Sequence, residues 1–139
     1  MKAYIAIKYH INLENKELIE EISNALEVNK IKSCCIIRDK EEWGRKTFSV
    51  EELMSISFKE IEISDFIVVD LSEKGVGLGI EAGYAYAKGI PIITIAKEGK
   101  DISNTLKGIS KKIYTYEESS DLVNYFKRLK ETSIIHNSI

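Results

Sequence analysis

The chain has 139 residues, 44% of them hydrophobic and 30% charged, which is the size of one domain able to bury about two-thirds of its unfolded surface. Twenty basic residues face 22 acidic ones for a net charge of -2; with the signs interspersed, the footprint that polymeric nucleic acid or anionic lipid would need is missing, and a small molecule is the expected partner. No apolar run approaches the roughly 20 residues of a membrane span and no N-terminal stretch reads as a secretion signal, so a soluble cytoplasmic protein is expected.

In chain order, AYIAI at 3–7 reads as a first strand. Leu18, Ile19, Ile22, Ala25 and Leu26 then recur at helical spacing. SCCIIR at 33–38 reads as a second strand; its adjacent Cys34 and Cys35 make no ordinary disulfide with each other and lack ligand spacing, as small buried hydrophobes of a reducing compartment would. The polar loop DKEEWGRKTF follows, closed by Ser49 with Glu52 three residues on, the capping box that starts a helix. Val50, Leu53, Met54, Ser57, Phe58 and Ile61 form that helix's stripe, with Ser57 its only polar member. DFIVVDL at 65–71 is apolar nearly throughout, as a central parallel strand covered on both faces would be.

GVGLGIEAGYA at 75–85 crowds four glycines around one carboxylate and leads into a helix ending near Lys88. IPIITIA at 90–96 is a fourth strand, Ser103 to Gly108 a short helix, and KKIYTY at 111–116 a fifth strand. Leu122, Tyr125, Phe126 and Leu129 mark a last helix, and the aperiodic tail at 133–139 is expected to be flexible beyond a domain at 1–132. The alternation predicts a doubly wound, flavodoxin-like α/β fold: a five-stranded parallel sheet with helices on both faces. Ligands of such sheets bind beyond the carboxyl ends of the strands, where strand order reverses. That rule selects Lys8, Tyr9 and His10, the segment from Arg38 to Arg45, and the segment from Asp70 to Glu81.

Glycine admits positive φ and close approach of a ligand, so Gly75, Gly77 and Gly79 are expected to shape a close-fitting loop with Glu81 at the start of the following helix. There a carboxylate is favoured in its ionised form and suits nucleophilic attack on a sugar C1′. A first-turn carboxylate that merely satisfies backbone amides has the same spacing, and the residues alone leave both readings open. Gly77, Gly79 and Ala82 also fit a dinucleotide fingerprint, weakly, because that fingerprint belongs to the first βα unit. Lys8 and His10 can meet a 5′-phosphate as point charges or form an ordinary solvated loop. Trp43, near Arg38 and Arg45, can act as a lid that stacks on a base or as a packing anchor.

The run SDFIVVDLSEKGVGLGIEAGYAYAKGIPI at 64–92 resembles the nucleoside 2-deoxyribosyltransferase family and its relatives, the 2′-deoxynucleoside 5′-phosphate N-hydrolases. Gly77, Gly79, Glu81, Gly83 and Ala85 fill the G-x-G-x-E-x-G-x-A pattern. The resemblance implies cleavage or exchange of the N-glycosidic bond of a nucleoside or nucleoside 5′-monophosphate, without metal or cofactor, with Glu81 as nucleophile. It implies that Tyr4 holds the nucleophile, and that Ser103 binds the 5′ end in the neighbouring subunit's site, hence a homo-oligomer that is at least a dimer. Two departures stand out: Ser57 occupies a position where the family carries a base-contacting aspartate, and Gly75 one that carries serine or aspartate. Asp70 is the substitute proton donor that the sequence offers. The departures also motivate an alternative, a non-catalytic nucleotide-binding or sensing module of the same fold.

Overall fold

The computed structural model describes residues 1–132; the tail expected at 133–139 lies outside them. Its sheet has five strands, β1 (Lys2–Ala6), β2 (Lys32–Cys34), β3 (Phe66–Asp70), β4 (Ile92–Lys97) and β5 (Lys112–Tyr116), in the order β2-β1-β3-β4-β5. Every pairing is parallel. This is the doubly wound, flavodoxin-like order that the alternating pattern predicts. Each strand is joined to the next through helix, because parallel neighbours need a crossover connection.

The helices are α1 (Lys16–Val28), α2 (Ile36–Asp39), α3 (Val50–Glu62), α4 (Val76–Ala87), α5 (Asn104–Ile109) and α6 (Asp121–Glu131). Strand alternation divides the core in two. Ala3, Ile5, Phe66, Val68, Ile93 and Ile95 face α1 and α6, where Ile22, Leu26, Leu122 and Phe126 meet them. Tyr4, Ala6, Ile67, Val69 and Ile92 face α3, α4 and α5 through Ile61, Leu78, Ala82 and Leu106. All five residues of β3 are buried. The capping box of α3 is formed as its sequence predicts, with the Glu52 amide donating to Ser49 Oγ at 3.1 Å.

Two expectations are corrected. The second strand stops at Cys34, and Ile36–Asp39 form a single helical turn in place of the second half of SCCIIR. An apolar run this short does not distinguish strand from helix; here Asp39 closes the turn by accepting the Cys35 amide at 2.8 Å, and Ile36 and Ile37 enter opposite cores. The second correction concerns α4, which begins at Val76. Gly77 and Gly79 are therefore helical residues and have no positive φ. Among the described residues no helix is long and apolar enough to cross a membrane.

Candidate active site

A cavity of about 500 Å³ opens beyond the carboxyl end of β1. It lies at the switch point of the sheet, because β1 leads outward to β2 while the next crossover returns to β3 on its other side. Tyr4, Lys8 and Tyr9 enter it from β1 and the segment that follows. Ile36, Ile37 and Glu41 enter from the segment after β2, Leu53, Met54 and Ser57 from α3, and Gly75 to Leu78 with Glu81 from the start of α4. The walls are mainly apolar, with a few convergent polar groups.

Glu81 stands in the second turn of α4, past the first-turn position that the sequence predicted for it. Its ionised form is therefore not the one its surroundings favour. Burial pushes the carboxyl up and contact with the Tyr4 hydroxyl draws it part of the way back, which leaves it at about 7. Glu81 Oε2 is buried and has no hydrogen-bond partner. A buried, unpaired carboxylate oxygen is costly, so one at the wall of a cavity is a candidate for chemistry.

Tyr4 is 1% exposed, and its hydroxyl faces both Glu81 and Ser57. Burial and the neighbouring Glu81 carboxylate hold that phenol far above its ordinary range. It stays neutral and can donate to Glu81. Ser57 Oγ donates to the Leu53 carbonyl of its own helix at 2.9 Å, which binds its proton within α3. Gly75 and Gly77 bring bare backbone to the cavity. The extended Gly75 precedes the first turn of α4 with no side chain capping it. Lys8 crosses this end of the helix: its Cγ lies 3.6 Å from where a Cβ of residue 75 would be, and its Nζ is 3.8 Å from Glu73.

The other sequence candidates do not line this cavity. Gly79 is on the exposed side of α4, open around its Cα. Asp70 follows Phe66 and Val68 onto the opposite face of the sheet from Tyr4, where its carboxylate accepts from the Tyr116 hydroxyl at 2.8 Å and the Ser72 amide at 2.9 Å. Desolvation nevertheless raises it above the ordinary carboxylate range. His10 Nε2 is 2.8 Å from Glu73, in a small crevice shared with Asp70. Ser103 precedes α5 and its hydroxyl pairs with that of Thr105 at 2.6 Å. Trp43 packs against the α1 and α6 core under Lys16, whose Nζ is 4.7 Å from the ring centroid. Arg38 is turned to Asp39 and Ser33, so it builds no lid with Trp43.

Tyr9, which the switch-point rule selects, lines the cavity, as do Glu41, from the selected Arg38 to Arg45 segment, and Met54, from the stripe of α3; neither of these two was singled out as a site residue. Glu41 sits in a polar loop with no periodic signal to separate it from Glu42.

No family model matches the chain, and no curated protein matches it in sequence. Solved structures share its fold. The CMP N-glycosidase BcmB of Clostridium botulinum superposes with a TM-score of 0.68 at 19% identity, covering 93% of this chain and 99% of that one. A 2-deoxyribosyltransferase of Bacillus psychrosaccharolyticus gives 0.72 at 17% identity, covering 90% and 92%. BlsM gives 0.65 at 17% identity, covering 97% and 90%.

Proposed function

We propose that this protein is an enzyme that cleaves or exchanges the N-glycosidic bond of a nucleoside or nucleoside 5′-monophosphate, with Glu81 as nucleophile. The observation that carries the reading is the buried, unpartnered Oε2 of Glu81 at the wall of the cavity. Fold neighbours that include a CMP N-glycosidase and a 2-deoxyribosyltransferase support it. In the reaction the ionised carboxylate attacks C1′ as the bond to the base breaks, through an oxocarbenium-like transition state, and a glycosyl ester forms. Water or a second base then takes the sugar and frees the carboxylate. Tyr4 steadies Glu81 by donating to it, and the apolar wall of Ile36, Ile37 and Met54 excludes water from the base.

Lys8 and the uncapped start of α4 offer a 5′-phosphate a cation and free amides. Ser103, remote from its own cavity, serves the site of a neighbouring copy in this reading, which makes the working unit at least a dimer. A second reading is favoured by Ser57, whose proton is engaged within its helix: a nucleotide-binding module that has lost efficient turnover.

Chromatography of free bases after incubation with ribo- and deoxyribonucleosides and their 5′-monophosphates tests both. Release by wild type and its loss in Glu81→Ala is the expected result. Release that survives Glu81→Ala removes the nucleophile assignment. No release, with a panel member that raises the melting temperature, moves the protein to the binding reading.

A further inference from the structure

The proposed reaction needs a proton for the departing base, and Asp70, the donor that the sequence offered, is otherwise engaged, as is Ser57 at the position of the family's base-contacting aspartate. Asp70 is across the sheet, tied to Tyr116 and Ser72, and Ser57 donates to Leu53. Glu41 is the other acidic residue lining the cavity. Glu81 follows β3 and Glu41 follows β2, the two strands that flank β1. The two residues therefore border the space beyond β1 from its opposite sides.

The chain around Glu41 is built to hold that position. Its amide donates to the Ile36 carbonyl at 3.0 Å, and its own carbonyl accepts from the Gly44 and Lys46 amides, both at 2.9 Å. The next three residues are all left-handed, with φ of 47° at Glu42, 58° at Trp43 and 91° at Gly44. Two successive non-glycine residues in that region persist only where surrounding structure fixes them, and such backbone gathers at functional sites. Trp43, stacked under Lys16, is the anchor. The nearby cations are committed elsewhere, Lys40 to Glu60 at 3.1 Å and Lys46 to Glu42 at 3.9 Å. Among the described residues none donates to or pairs with the Glu41 carboxyl, and partial burial raises it from its ordinary value.

We infer that Glu41 is the general acid of this site, the group that protonates the leaving base. The inference rests on the N-glycoside reading. As Glu81 bonds to C1′, the C1′–N bond breaks, its electron pair passes to the base nitrogen, and the Glu41 proton goes to the base. Glu41 is left as a carboxylate. In the second step it takes a proton from the attacking water, or from the attacking second base, as the bond from C1′ to Glu81 breaks.

A leaving-group series tests this: the base that wild type releases, and ring-halogenated analogues of it that leave progressively more easily without a proton. Glu41→Gln should lose about a hundred- to ten-thousand-fold on the parent base. That deficit should shrink at least about tenfold along the series, and Glu41→Asp should recover part of the parent rate. A constant deficit along the series, or none, overturns the inference and leaves the nucleophile assignment standing. Absence of base release by wild type overturns both.

Discussion

At the scale of single residues, the molecule concentrates its electrostatic cost at Glu81. Its carboxyl rises from an ordinary 4.5 to about 7 because burial removes water from the charged form. A carboxyl whose folded pKa is raised destabilises the fold when ionised. The penalty is absent below about pH 4.5, grows between the two values and is complete above about pH 7. Glu81→Gln should therefore raise the urea midpoint at pH 8 by an amount worth at most about 3 kcal/mol, less where solvent enters by the cavity mouth, and change it little at pH 4. Urea titrations at the two pH values measure the difference. The same titration would govern the proposed reaction with the opposite benefit. There only the ionised carboxylate attacks C1′, so the acid limb of base release should fall near pH 7, and loss of the proton from the proposed acid Glu41 should add an alkaline limb. Tyr4 pulls that value down. Tyr4→Phe should move the acid limb of the rate profile to higher pH as well as slow release, and an unmoved limb would separate Tyr4 from the nucleophile.

At the scale of elements, most of the fold was legible in the sequence, because helical stripes and buried strand runs are local patterns that the core enforces. The all-buried β3 and the capping box of α3 are the clearest instances. Two failures have a common cause. SCCIIR and the glycine-rich stretch are short segments whose local signal is ambiguous, and tertiary contacts chose the helical alternative in both. In α4, Leu78, Ala82 and Ala85 bury one face against β3 and β4, and that burial holds a helix despite the cost of glycine in its interior, about 1 kcal/mol each relative to alanine. The shift moves Glu81 from the first turn of a helix into its second. It also changes why the residue is unusual, from stabilisation by a helix end to destabilisation by burial. The candidate site was legible at Glu81, Tyr4, Ser57, Lys8 and the first glycines, through a motif and the switch-point rule. Glu41 was not, because it becomes distinct from Glu42 only through the left-handed turn that aligns one of them with the cavity.

At the scale of the whole molecule, the order of strands explains both the site and the surface that remains unused. Residues of β1 and of the segments that follow β1, β2 and β3 converge on one cavity, while the β4 to α5 connection bearing Ser103 lies outside it. The inner face of α4 is spent on the core. Its outer face is apolar as well: Ile80 is 47% exposed and Tyr86 61%, and Val76, 82% exposed, joins that face to the cavity it lines. Val76, Ile80, Gly83 and Ala87 fall on one stripe by helical spacing, with no charged side chain among them. Exposed apolar surface suits association, and in the dimer proposed above a symmetric pair of copies would cover it with the same helix from each. Such a pair also fits a Ser103 that serves a neighbour. Sedimentation of the wild type should therefore report at least a dimer. Tyr86→Glu places a charge on the exposed flank of this stripe, five residues from Glu81; it should yield a folded monomer with weakened base release. A wild type that sediments as a monomer at every concentration would return Ser103 to its own short helix, and the cavity would then have to complete its 5′ subsite from Lys8 and the α4 amides alone.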